Sequence, residues 1–267
     1  MRKTFLQIPG VLDVVKGNTT TKPSNTKFKI REMLYLQQLV YQLPNKAIIV
    51  EIGSFIGKSA LALAEAAEKI NGSVLCVDPF AKHTLSFCPN QLELFTENTA
   101  GWDNIYLAKS DSTKFFDYNP NTKFDMIFID GDHSIMGFIT DLRNAIVHSN
   151  KIVCGHDFCV YSPWIVDVIQ HLSVKFGVDY EVVSWTWKLN ISKKLRNFAQ
   201  DDLVPYLVEF IKKRGIFYNF ENSWYRESGL EIKGSDDANS RVDADSSPDA
   251  ESSPDAESEN TSGEGEN

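Results

Sequence analysis

The sequence is poor in the features that mark several protein classes. Its four cysteines, Cys76, Cys88, Cys154 and Cys159, show no CxxC spacing, which argues against a zinc site or a disulfide framework. Cys76 and Cys154 lie inside apolar, strand-like runs, the setting of buried thiols in a reducing compartment. No apolar segment reaches the length of a membrane span, and the opening "MRKTFLQIPGVLDVVKG" has no continuous apolar stretch of signal length. A cytoplasmic chain without membrane contact is expected. Basic charge is scarce as well. The formal net charge is −9, and eleven Asp/Glu against one Arg fall between Ser235 and Asn267. About +1 is left for residues 1–234, with no basic stripe of the kind nucleic acid requires.

What is present is enough apolar material for one sizeable core: 267 residues, 42% hydrophobic. Residues 1–28 read as an irregular segment crowded with Thr, Asn, Lys and Pro. Residues 235–267 contain "SSPDAESSPDAE", a hexapeptide written twice, and have no large apolar residue after Val242. Such a segment cannot bury enough surface to offset chain entropy, so it is expected to be a disordered, solubilising tail.

Between these ends, short apolar β-branched runs alternate with helical patterns. "AIIVEI" (47–52), "SVLCVD" (73–78), "NIYLAKS" (104–110), "FDMIFID" (124–130), "KIVCGHD" (151–157) and "YEVVSWTW" (180–187) read as strands. Helices are expected at 29–43, 58–70, 90–100, 134–149 and 163–177. The first strand is apolar throughout rather than alternating, as buried strands of parallel sheets are. The predicted class is therefore α/β, with a doubly wound, mostly parallel sheet over residues 29–192. A helical and aromatic extension follows at 193–234: one amphipathic helix, "AQDDLVPYLVEFIKKRG", interrupted by Pro205, and then "IFYNFENSWYR". That aromatic stretch suits core packing, a substrate cleft or a dimer contact.

In an open α/β sheet, ligands bind beyond the carboxyl ends of the strands, at the first strand-to-helix turn. Here that turn is "EIGSFIGKSA" (51–60), and three ligands compete for it. ATP is disfavoured, because "GSFIGKS" places three residues between Gly53 and Gly57 where a phosphate cradle has four. A dinucleotide is disfavoured, because Phe55 and Ile56 fill the stretch where a second glycine would approach the pyrophosphate. S-adenosylmethionine brings no phosphate. It needs a tight glycine turn beside its amino-acid end, an acid ending the first strand and an acid ending the second. Glu51, Gly53, Gly57 and Asp78 fit that description, and Ser110 and Asp111 end the third strand within reach of an adenine edge.

"VEIGSFIGKSALALA", "VLCVDPF", "FDMIFIDGDH" and "IVCGHDF", in this order and spacing, resemble the class I S-adenosylmethionine-dependent methyltransferases, in particular members with EIGSxxGxS and IDGDH motifs. The likeness covers about residues 47–160. It implies a seven-stranded Rossmann-like sheet, methyl transfer by direct displacement, and a substrate cap that varies among members. It also implies cofactor contacts from Glu51, Gly53, Ser54, Gly57, Asp78, Ser110, Asp111 and Asp130.

The same resemblance bears on "FIDGDH" (128–133) and "GHDF" (155–158), two acid-histidine clusters at the ends of neighbouring strands. Metal-dependent sugar and catechol O-methyltransferases of this fold hold Mg²⁺ with one acid after strand 4 and two adjacent polar residues after strand 5. Asp130 matches the acid, and His156 with Asp157 match the pair. A divalent cation lowers the pKa of an acceptor hydroxyl, and His133 is the candidate general base beside it. The imidazole departs from the all-oxygen set that Mg²⁺ prefers and moves the preference toward Mn²⁺, Fe²⁺ or Zn²⁺. The competing reading is that Asp130 and Asp132 merely cap the helix starting near Ser134. Asp141, His148 and His171 are expected to play structural roles. A small-molecule or glycan acceptor is the expected substrate, and a homo-oligomer is compatible with the sequence. The other function classes are a P-loop-like nucleotide hydrolase, in which Lys58 would hold phosphate rather than sit on a helix surface, and a non-catalytic cofactor-binding scaffold.

Overall fold

The apolar runs pair as strands, and the central ones bury both of their faces. In a computed structural model that describes residues 2–8, 27–81 and 88–214, they form one seven-stranded sheet ordered β3-β2-β1-β4-β5-β7-β6. The strands are β1 (Ile48–Ile52), β2 (Ser73–Val77), β3 (Ile105–Ala108), β4 (Phe124–Ile129), β5 (Ser149–Gly155), β6 (Tyr180–Val183) and β7 (Thr186–Leu189). The first five are parallel, and β7 runs antiparallel to both β5 and β6. The expected α/β class, with a mostly parallel doubly wound sheet, is what forms.

Alternate residues of the central strands feed two cores. Ile49, Met126, Phe128, Ile152 and Cys154 face one side, against α1 (Lys27–Val40), α2 (Lys58–Lys69) and α3 (Gln91–Thr99). Val50, Ile52, Ile127, Ile129 and Val153 face the other. There they meet α4 (Ser112–Tyr118), α5 (Ile135–His148), α6 (Pro163–Phe176), α7 (Lys193–Asp201) and α8 (Leu203–Lys213). Each fully buried Leu, Ile or Phe contributes about 1.5–3 kcal/mol, so these two layers hold the strand ends in register. Cys76, Cys88 and Cys154 are buried, and all four cysteines are free thiols. Among the described residues, no helix is long and apolar enough to cross a membrane.

The sequence reading needs four corrections. The run 180–187 is two strands, not one: Ser184, at φ +60°, and Trp185 form a two-residue turn that pairs Val183 with Thr186. A left-handed residue in such a turn matches the twist of the flanking strands. The helix expected around Pro205 is two helices broken at Asp202, with Pro205 the third residue of α8. An N–H in the first turn has no intrahelical acceptor, so a proline there costs nothing in hydrogen bonding. Helix α4 went unread, because "STKFFDY" is too short for periodicity to show. Finally, Leu195, Ala199, Leu203, Leu207 and Ile211 belong to the same core as β5 and α5, so the helical part of residues 193–214 completes the sheet's cover. The aromatic stretch at 216–226 and the acidic tail lie outside the described residues.

Candidate functional site

The strand order reverses between β1 and β4, which are adjacent, while the chain between them visits β2 and β3. A crevice opens at such a switch point, beyond the carboxyl ends of the strands. Two groups of side chains meet there.

The first group sits at the ends of β1 and β2. Gly53 has φ +82°, and a Cβ on it would lie 2.2 Å from the Asp130 carbonyl oxygen. Only glycine lets the β1 turn lie this close to the chain leaving β4. The Ser54 and Phe55 amides donate to Asp78 Oδ2 at 2.9 and 3.0 Å, and the Phe80 amide donates to Asp78 Oδ1 at 2.7 Å. Asp78 therefore shapes both loops around its own carboxylate. Phe55 and Phe80 both adopt positive φ, +47° and +48°, a strain of order 1 kcal/mol each that such a clamp has to offset. Glu51 is fully buried and accepts the Ser54 hydroxyl at 2.6 Å. Burial pushes its carboxyl up to about 7, against the opposing pull of that hydroxyl. Its other oxygen has no hydrogen-bond partner among the described residues.

Glu51, Gly53, Ser54 and Asp78 are thus brought together as one unit. Gly57 is not part of it. At φ +89° it starts α2, and a Cβ there would meet Thr99 and Phe95 of α3 rather than the crevice. Lys58 corrects the expectation of a helix-surface residue: its ammonium is half-buried and donates to the Ile8 carbonyl at 2.8 Å. Ser110 and Asp111 stand one strand further out. Asp111 caps α4, accepting the Lys114 amide at 2.8 Å and pairing with the Lys114 ammonium at 3.0 Å. Burial raises its carboxyl, but these donors outweigh it and leave the pKa lowered. The Ser110 hydroxyl donates to the Asp111 carbonyl at 3.0 Å.

The second group sits at the ends of β4 and β5. One ligand atom each from Asp130, His156 and Asp157 lie within 4.8 Å of one another. His156 Nδ1 is 3.0 Å from Asp157 Oδ1 and 3.7 Å from Asp130 Oδ1. His133 bridges the same acids, with Nδ1 3.0 Å from Asp157 Oδ2 and Nε2 3.4 Å from Asp130 Oδ1. Desolvation works against a charged imidazole at His133. The neighbouring Asp130 and Asp157 overcome it and raise its pKa to about 9. His156 is raised well above the ordinary value for the same reason, and Asp157 is lowered by the two imidazoles in spite of burial. Asp157 also has φ +60°, so it is held in an uncommon backbone conformation at the mouth of the site.

Ser134 is the N-cap of α5, and of the two acids only Asp132 supports it, by bonding the cap residue itself. Asp132 Oδ1 accepts the Ser134 amide at 2.8 Å, and Ser134 Oγ accepts the Gly137 amide at 3.0 Å to start α5. Asp130 makes no such bond and faces the histidines. His148 and His171 have partners away from the crevice, the Thr122 carbonyl and the Tyr206 hydroxyl; Asp141 accepts the Ser112 hydroxyl and lies beside Gly131, where a Cβ would come 3.3 Å from its Oδ2.

One residue at this site escaped the sequence reading. Glu32 of α1 is 3% exposed, with Oε2 3.4 Å from His156 Nε2 and Oε1 accepting the Trp185 amide at 3.1 Å. A leucine there would contribute about 1.5–3 kcal/mol, whereas a buried carboxylate costs free energy unless it is paired. The signal was the spacing. Glu32 precedes the buried Tyr35, Leu36 and Leu39 by three, four and seven residues, on the very stripe that faces the core.

Residues 50–158 match a family model described as a methyltransferase domain. The match spans both groups, from the end of β1 to Phe158. Residues 50–158 thus carry a methyltransferase domain. No curated protein matches the chain. Among solved structures, the cofactor-bound Rv0187 from MTB is similar at 15% identity, over 67% of this chain and 87% of that one, with a TM-score of 0.48. The O-methyltransferase from Bacillus cereus in complex with SAH is similar at 18% identity, over 60% and 80% of the two chains, with a TM-score of 0.41. TomG from Streptomyces achromogenes, an O-methyltransferase in complex with SAM, is similar at 16% identity over the same shares, with a TM-score of 0.42. The methyltransferase domain stands on its sequence match and on the strand order above.

Proposed function

We propose that the methyltransferase domain transfers the methyl group of S-adenosylmethionine to a hydroxyl of a sugar, glycan or other small molecule. The observation that carries this reading is the convergence of Asp130, His156 and Asp157 within 4.8 Å, at the switch point and next to the Gly53 turn. Glu51, Gly53, Ser54 and Asp78 are the residues to receive the cofactor, with Asp111 and Ser110 at its adenine end.

The Asp130–His156–Asp157 set fits a divalent cation on its own chemistry. Two carboxylates and one imidazole form an N,O donor set, and the same acids already draw protons onto both histidines. The imidazole nitrogen in this set suits Mn²⁺ better than Mg²⁺, which prefers oxygen alone. When bound, such a cation would lower the pKa of an acceptor hydroxyl and orient its oxygen. His133 stands beside the three, half-exposed, and is the proton acceptor in this reading. Its proton is held by Asp130 and Asp157, so the imidazole becomes a base once those carboxylates are engaged elsewhere. The near-neutral charge of residues 1–234 suits a small acceptor rather than nucleic acid.

Calorimetric titration with S-adenosylhomocysteine tests the cofactor half; no binding at millimolar ligand would refute it. Transfer of label from methyl-tritiated S-adenosylmethionine to a panel of hydroxyl acceptors, with and without EDTA, tests the rest. Turnover that survives complete chelation would remove the cation while leaving the methyltransferase in place.

A further inference from the structure

We propose that Glu32 is a positioning residue of the candidate cation site, acting through the imidazole of His156; the inference rests on the cation reading above. An imidazole that gives one nitrogen to a cation carries its proton on the other, and that N–H needs an acceptor. His156 turns Nδ1 toward Asp157 Oδ1 and Asp130 Oδ1, at 3.0 and 3.7 Å. Its Nε2 faces Glu32 Oε2 at 3.4 Å. Glu32 is thus the acceptor that would keep the proton on Nε2 when a cation displaces the other from Nδ1, the nitrogen that faces the two aspartates.

Glu32 is itself held. Its Oε1 accepts the Trp185 amide at 3.1 Å, so the carboxylate cannot swing away without giving up that bond. Trp185 sits in the β6–β7 turn, and two residues on, the Trp187 indole N–H donates to the His156 carbonyl at 3.0 Å. One hairpin therefore fixes the histidine main chain directly and its ring through Glu32. Helix α1 is tied to the same hairpin a second time, where the Tyr35 hydroxyl donates to Glu181 Oε2 at 3.0 Å. Glu32 does not join the ligand cluster, because it approaches the ring from the nitrogen opposite the aspartates.

The test is Mn²⁺ titration of the full chain, followed by the loss of the free-ion electron paramagnetic resonance signal. It is run on wild type, Glu32→Gln, Glu32→Ala, His156→Ala and the double variant Glu32→Gln/His156→Ala. In Glu32→Gln, the amide oxygen keeps the Trp185 bond while its NH₂ faces His156 Nε2, which moves the ring proton to Nδ1 and blocks the ligand. The expected result is a Kd raised about 10–100-fold, with S-adenosylhomocysteine affinity and thermal midpoint close to wild type. In the His156→Ala background the glutamine change should add nothing, because its effect runs through that ring. A Glu32→Gln Kd within twofold of wild type overturns the proposal, as does full additivity with His156→Ala. Failure of both Glu32 variants to fold marks a structural brace and overturns it as well. If wild type itself takes up no Mn²⁺ at millimolar concentration, the cation reading falls first and brings this inference down with it.

Discussion

The two halves of the crevice are built on opposite principles. At the ends of β1 and β2, Asp78 is satisfied by three backbone amides and one oxygen of Glu51 by a hydroxyl, all contributed within 30 residues of chain. That half is a cradle fixed by short-range bonds, with one buried carboxyl raised to about 7. At the ends of β4 and β5, two aspartates and two histidines face one another, and a buried glutamate joins them from about 100 residues upstream. That half is electrically loaded, with raised imidazoles and a lowered carboxylate. A cradle for a bound cofactor needs fixed shape. A site that handles cations and protons needs groups whose charge is poised to change.

The largest effect that would break this comparison is expected from Asp157→Asn, which keeps a residue tolerant of positive φ but removes the charge. Methyl transfer should fall about 1,000-fold, roughly 4 kcal/mol of barrier, while S-adenosylhomocysteine affinity stays within twofold by calorimetry. Equal losses in both measurements would show that the halves are not separate. Next, Gly53→Ala places a Cβ against the Asp130 carbonyl and should weaken S-adenosylhomocysteine binding at least about 100-fold, or 2.7 kcal/mol. Unchanged affinity would mean that the β1 turn does not touch the cofactor.

A smaller effect concerns pH. The folded-state pKa of Glu51 is raised, so the unfolded chain loses its proton from about 4.5 upward while the folded chain keeps it to about 7. The stability associated with this group is complete below 4.5 and declines as pH rises through that window. Glu51→Gln should flatten the decline and raise stability at pH 8 by roughly 1–3 kcal/mol, read from urea unfolding at several pH values. Part of the slope should persist, because burial also raises Asp141 to about 7. Smallest of all, Lys58→Ala removes one bond to the Ile8 carbonyl and should cost about 1 kcal/mol or less, with cofactor binding intact. A large loss of nucleotide or cofactor binding in that variant would reopen the phosphate-loop reading.

What could be read from the chain was what depends on neighbours in sequence. The first five strands and the longer helices between them show their periods locally, and β1, β2, β4 and β5 end in Glu51, Asp78, Asp130 and His156–Asp157 close to where their apolar runs stop. The hairpin at Ser184 and Trp185 was hidden, because its turn carries neither Gly, Asn nor Asp. Pro205 drew the eye to the wrong break, since a proline in the first turn of α8 is permitted where one in mid-helix is not.

The sequence by itself determined the class of sheet, its parallel strands and the acids at their tips, because hydrophobic period and strand-end polarity are properties of short segments. Only the tertiary structure decided which of those acids share a site. It set Asp130 among the histidines and Asp132 at a helix cap, turned Gly57 toward α3, and brought Glu32 behind His156. Those outcomes depend on how helices seat on a twisted sheet, and packing between segments distant in sequence leaves no periodic trace in either one.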